Sequence, residues 1–103
     1  MESKFPKNQY TKWFDYDKIK GTLSLRHRQP GDYLTLPSGG RKTLKSWMID
    51  EKIPRQEREE IWLLAEEKHI LWIVGHRISA YYKITEQTKT ILEVEFNGGK
   101  SSG

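Results

Sequence analysis

The chain has 103 residues, 35% of them hydrophobic and 31% charged, with a formal net charge of +4 and a pI near 9.3. That length holds one small domain with a modest core, which four Trp, five Tyr and three Phe enlarge because each ring buries much area. With no cysteine, a disulfide framework and a thiolate metal site are excluded, and the mildly basic balance permits a polyanionic partner without requiring one.

Residues 1–12 are polar and Lys-rich and read as a linker or arm without a signal-peptide apolar region, so a cytoplasmic location is expected. Residues 13–17 suit a short edge strand. Over 22–28, Leu23 and Leu25 alternate with Ser24 and Arg26, as in a half-buried strand. Gln29-Pro30-Gly31-Asp32 is a turn, because Pro fixes φ and Gly accepts positive φ. Asp32 there suits capping the turn or orienting an arginine. Residues 33–36 read as a second strand, broken by Pro37-Ser38-Gly39-Gly40. Thr43 can cap a helix running to about Lys52, with Leu44, Trp47 and Met48 on one face. Pro54 fits the first position of a short second helix ending near 61.

The apolar runs 62–65 and 70–74 predict strands covered on both faces and joined by a hairpin loop over 66–69. Neither run is long enough to cross a bilayer, so no membrane partner is expected. Two further strands are expected over 78–84 and 90–96, and 97–103 reads as a flexible tail. Trp47, Trp62, Trp72, Leu64 and Ile73 are expected in one core, with Trp13 and Tyr33 partly exposed. The pattern is α+β: one domain over 13–96, a mixed, mostly antiparallel sheet, and a helix pair in mid-chain.

No arrangement of nucleophile, acid and base is evident, so no catalytic residue is assigned. His27, His69 and His76 lack metal-ligand spacing, and no metal site is expected. Ser38-Gly39-Gly40 follows a strand and precedes a helix, a context for anion binding, but Arg41 interrupts the Walker pattern. It reads either as a plain turn or as one whose free N–H groups and Lys42 meet an RNA phosphate. Lys45 and Lys52 flank the apolar face of the helix, which suits phosphate tracking or plain solvation. Arg26 and Arg28 share a strand face and can bind phosphates or pair across strands with carboxylates.

Four spaced signatures occur in order: Arg26-His27-Arg28-Gln29-Pro30-Gly31-Asp32, Gly40-Arg41-Lys42-Thr43-Leu44-Lys45, Ile49-Asp50-Glu51-Lys52-Ile53-Pro54-Arg55, and Val74-Gly75-His76-Arg77-Ile78-Ser79. Together they resemble the C-terminal domain of tRNA(Ile)-lysidine synthetases, from about Phe14 to Phe96. Thr43 stands where many members carry Lys, and Trp62 where Pro is common. The β subunit of phenylalanyl-tRNA synthetase offers a fold-level analogy. The resemblance implies a non-catalytic domain that grips the tRNA acceptor stem through Arg26, Arg28, Lys42, Lys45, Lys52, Arg55 and Arg77. It implies a bacterial parent ligase whose own N-terminal catalytic domain uses ATP with Mg, at a Ser-Gly-Gly-x-Asp-Ser loop, and lysine. That enzyme converts the wobble cytidine of the isoleucine tRNA with a CAU anticodon to lysidine. No cofactor is implied for the domain itself. A generic RNA- or DNA-binding module and a protein-interaction domain are the alternatives.

Overall fold

A computed structural model describes residues 10–96; the expected tail over 97–103 lies outside them, as does the expected arm up to residue 9. Strand β1 (Thr11–Asp15) pairs antiparallel with β8 (Ile91–Glu95), with Phe14 opposite Leu92, in a separate two-stranded ribbon. β8 follows its alternation: Leu92 and Val94 are half-buried, whereas Ile91, Glu93 and Glu95 are exposed.

The larger sheet contains β2 (Leu23–Arg26), β3 (Tyr33–Thr35), β4 (Arg41–Thr43), β5 (Leu63–Glu66), β6 (His69–Ile73) and β7 (Arg77–Ile78). Its order is β2-β5-β6-β3-β4, with β7 also on β6. β3 and β6 run parallel through Tyr33 and His69, and the other pairs are antiparallel. Helices α1 (Leu44–Asp50) and α2 (Arg55–Arg58) fall in mid-chain. The architecture is therefore the expected α+β domain with a mixed, mostly antiparallel sheet. Among the described residues, no helix is long and apolar enough to cross a membrane.

The sheet is buried on both faces, so the expected single core is two. On one side α1 packs Leu44, Trp47 and Met48 against Leu34, Leu63, Ala65, Ile70 and Ile73. On the other, Phe14 of the ribbon and Tyr82 cover Leu64, Leu71 and Trp72. A bulge enforces the division: Leu64 faces Trp72 and Ala65 faces Ile70, leaving Leu71 unpaired between them. The extra residue places Leu71 and Trp72 in the same core although they are neighbours in sequence. Trp62 lies in neither core. It precedes β5, is 36% exposed, and lies against the His27 ring with centroids 4.1 Å apart.

Several elements differ from the sequence pattern: β1 spans Thr11–Asp15 and not 13–17, and α2 ends at Arg58 and not near 61. β4 is too short and polar to show alternation, and pairing supplies it: the turn after β3 closes with Leu36 N–H donating to Gly40 O (2.8 Å), and Gly39 adopts φ 101°. α1 is capped by the Thr43 hydroxyl, which accepts from Ser46 N–H (3.1 Å), but it stops at Asp50. Lys52 then adopts φ 57°, and Ile53 N–H donates to Met48 O. The expected strand over 78–84 is only the two-residue β7 followed by a 3-10 turn, Ala80–Tyr82. Two long-range bonds divert it: Ser79 Oγ accepts from Thr35 N–H (3.0 Å), and the Tyr82 hydroxyl donates to Glu66 (2.7 Å).

Candidate nucleic-acid interface

Cross-strand partners share a face of a sheet. Arg26 lies opposite Leu63, Lys42 opposite Leu34 and Arg77 opposite Ile73, all residues of the α1-side core. Lys45 lies on α1, Lys52 follows it and Arg55 opens α2. Arg28 reaches Glu59 directly after α2. All seven candidate cations thus lie on the helix-bearing side of the sheet.

Their surroundings divide them. Arg26 forms a two-pronged ion pair with Asp32, both contacts 2.9 Å, and the Asp32 side chain is 1% exposed. Asp32 also accepts from Gln29 N–H (2.8 Å), and Arg26 donates to Glu67 O (2.6 Å). This clamp joins β2, the Gln29–Asp32 turn and the β5–β6 hairpin. Asp32 O in turn accepts from Leu44 N–H (2.9 Å), which seats the start of α1. Arg28 donates to Glu59 through two nitrogens, and Lys42 pairs with Asp50 across the β4–α1 corner. Lys45, Lys52 and Arg55 are exposed and Arg77 is half-buried, and no carboxylate of the described residues pairs with them.

Arg28, Gln29, Pro30, Gly31 and Asp32 line an open cleft of about 570 Å³ together with Thr43, Leu44, Lys45 and Glu59. Lys45 stands in the first turn of α1, which holds no acidic residue. A cation there opposes the helix dipole, so the helix does not account for it. The Ser38–Gly40 loop does not fit a nucleotide-phosphate cradle. It is the β3–β4 hairpin turn rather than a strand-to-helix loop, and Leu36 O takes the Gly39 N–H. Among the described residues, no group of three metal-ligating side chains occurs.

The sequence pattern left one assembly unread. On the sheet face away from the helices, the Arg41 guanidinium lies 4.4 Å from the Tyr33 ring centre, and Tyr33 stacks on His69 at 4.5 Å. His69 approaches Tyr81 (5.1 Å), and Lys18 Nζ lies 4.9 Å from the Tyr81 ring. The parity of Tyr33 with Thr35 and of Arg41 with Thr43 was the available signal, but β4 had to be recognised first. His69 Nε2 lies near the Thr35 hydroxyl (3.0 Å) and the Ser79 hydroxyl (3.4 Å). Burial, then the Arg41 charge, hold the His69 pKa below its ordinary 6.5 against the opposing pull of Glu66. Burial alone would raise Glu66. Hydrogen bonds from the Tyr82 hydroxyl and from Gly21 and Lys20 N–H outweigh it and hold the carboxyl below 4.5. Tyr82 is pushed up, by burial first and then by Glu66, so it stays a donor.

A family model described as TilS substrate C-terminal domain matches residues 23–95. The chain belongs to that family. The tRNA(Ile)-lysidine synthase of Caldanaerobacter subterraneus subsp. tengcongensis is 46% identical over 93 residues, covering 89% of this chain and 20% of that protein. The enzyme of the same name from Clostridium tetani is 41% identical over 97 residues, covering 93% of this chain and 21% of that protein. The chain therefore spans about a fifth of the length of these relatives. A crystal structure of a TilS C-terminal domain is similar with a TM-score of 0.64 and 27% identity, over 94% of this chain and 78% of that one. The span matched to the TilS family includes both helices, the larger sheet and all seven cations.

Proposed function

We propose that this domain is the tRNA-holding part of a tRNA(Ile)-lysidine synthase and that its helix side is the RNA face. The observation that carries the reading is the gathering of seven cations on one side of the sheet, with Arg28 and Lys45 lining one cleft. Lys45, Lys52, Arg55 and Arg77 meet phosphates directly. Arg28 and Lys42 do so from the ion pairs with Glu59 and Asp50, which hold their long side chains in place. Arg26 acts through the Asp32 clamp, which sets the wall of the cleft. Duplex RNA is read mainly by shape, 2′-hydroxyls and phosphates, so binding is modest in affinity and weak in sequence preference.

In the whole enzyme, by this reading, the domain grips the acceptor stem of the isoleucine tRNA with a CAU anticodon in the bacterial cytoplasm. A separate N-terminal domain carries the ligase chemistry with ATP, Mg and lysine. Residues of this chain bind and orient tRNA and take no part in forming lysidine.

Salt titration of tRNA binding by a Lys45→Ala/Arg55→Ala variant tests the reading. Log K falls by about 0.7–0.9 per phosphate contacted for each log unit of salt, so removing two contacts should lower affinity and flatten the slope by about 1.5. Unchanged affinity and slope in a folded variant would sink it. Equal binding of duplex DNA would favour a generic nucleic-acid module instead.

A further inference from the structure

On the sheet face opposite the helices, five groups follow one another in contact: Arg41, Tyr33, His69, Tyr81 and Lys18. Successive separations are 4.4, 4.5, 5.1 and 4.9 Å. The ladder is built from five separate parts of the fold: β4, β3, β6 and the 3-10 turns Tyr16–Lys18 and Ala80–Tyr82. A cation closes each end. His69, at the centre, is fixed by the Thr35 and Ser79 hydroxyls and by the Tyr82 ring at 4.9 Å. Arg41 is exposed at one end; at the other, Lys18 is half-buried and the Tyr81 ring beside it is 42% exposed.

A guanidinium seated over a tyrosine ring, as Arg41 is over Tyr33, keeps its N–H groups available to an outside acceptor. It can stack one more planar group and bind a phosphate at the same time. Rings aligned on a sheet and flanked by cations are the physical requirements for binding unpaired nucleotides, whose bases stack while their phosphates meet charge. A duplex end or groove lacks the splayed bases to use them. The Glu66 carboxylate beside His69 is occupied by the Tyr82 hydroxyl and by Lys20 and Gly21 N–H, so it does not face an incoming phosphate unpartnered.

We infer that this ladder is a second RNA-contact surface, one that takes unpaired nucleotides: bases extend the stack at Arg41 and Tyr81, and phosphates meet Arg41 and Lys18. The inference rests on the reading that the domain holds RNA, and it adds a face that the helix-side cations do not use.

The test compares two labelled probes on the 103-residue chain by fluorescence anisotropy: a short single-stranded oligoribonucleotide and a blunt RNA hairpin closed by a non-nucleotide linker. Tyr81→Ala should weaken the oligoribonucleotide by about tenfold or more, the scale of one lost base stack, and leave the hairpin unaffected. Tyr81→Phe should retain binding. Arg41→Lys keeps the charge but not the plane, and it should lose oligoribonucleotide affinity nearly as Arg41→Ala does. Full rescue by Lys would overturn the stacking assignment. Unchanged oligoribonucleotide affinity in folded Tyr81→Ala, or an equal loss on both probes, would overturn the second surface. A chain that binds the oligoribonucleotide through Tyr81 but not the hairpin removes the helix-side reading and keeps this one. A chain that binds neither removes both.

Discussion

Arg26 shows how one side chain is committed by its partners. Its strand position left phosphate binding and carboxylate pairing equally open. The buried carboxylate six residues on decides its local role, because a charge withdrawn from water must be paired. Arg26→Ala should cost about 3–5 kcal/mol by leaving Asp32 buried without its cation. Lys45→Ala, on an exposed helix position, should stay within about 0.5 kcal/mol. Urea denaturation midpoints of the two variants check the contrast, and equal midpoints would show that the clamp does not hold the fold. A sequence states which residues are cationic and which strand face they take. It does not state which are already paired, since Glu59 and Asp50 reach Arg28 and Lys42 only through the tertiary fold. Arg41 illustrates the converse, for its aromatic seat is made by a strand pairing that three polar residues do not advertise.

At the scale of elements, β5 and β6 were readable because continuous apolar runs bounded by polar turns have few other solutions. The Thr43 cap was readable as local chemistry, whereas Pro54, expected at the first helical position, is the N-cap of α2, which ends at Arg58 and not near 61. The bulge was not readable, because whether Leu71 and Trp72 point the same way is settled by pairing with β5. Its energetic weight falls on Trp72, which is fully buried and touches Phe14 across a ring distance of 6.3 Å. Trp72→Ala should cost about 3–5 kcal/mol, close to the whole stability of a small domain. The Trp72 indole N–H has no acceptor among the described residues. Trp72→Phe therefore removes an unsatisfied donor along with some volume and should cost clearly less. Thermal melts of the pair check this. A Phe variant as unstable as the Ala variant would mean that the indole N–H is bonded after all.

The whole molecule should be sensitive to acid in two stages. His69 has a folded pKa below 6.5, so beneath 6.5 the unfolded chain binds a proton that the folded chain refuses. Its contribution is complete above 6.5 and is lost as pH falls through the folded value. Glu66, held below 4.5, contributes fully above 4.5 and is lost as pH falls further. Both signs agree, and stability should decline from near neutrality downward. Urea midpoints measured across this range check it: His69→Gln should flatten the upper stage and leave the lower. A wild-type midpoint constant from pH 7 to the Glu66 range would contradict both assignments.

The ribbon of β1 and β8 sets how the molecule is tethered. Thr11 lies opposite Glu95, and one step further out Phe96 N–H donates to Tyr10 O (2.7 Å) while their rings meet at 6.3 Å. The polypeptide therefore enters and leaves the described fold at one point, like a pendant on a paired cord. Pulling residues 10 and 96 apart loads the ribbon's hydrogen bonds one after another, as a zipper opens, and not together in shear. Tension along the chain would thus peel β1 from β8 before it reached the sheet that carries the cations and the aromatic ladder.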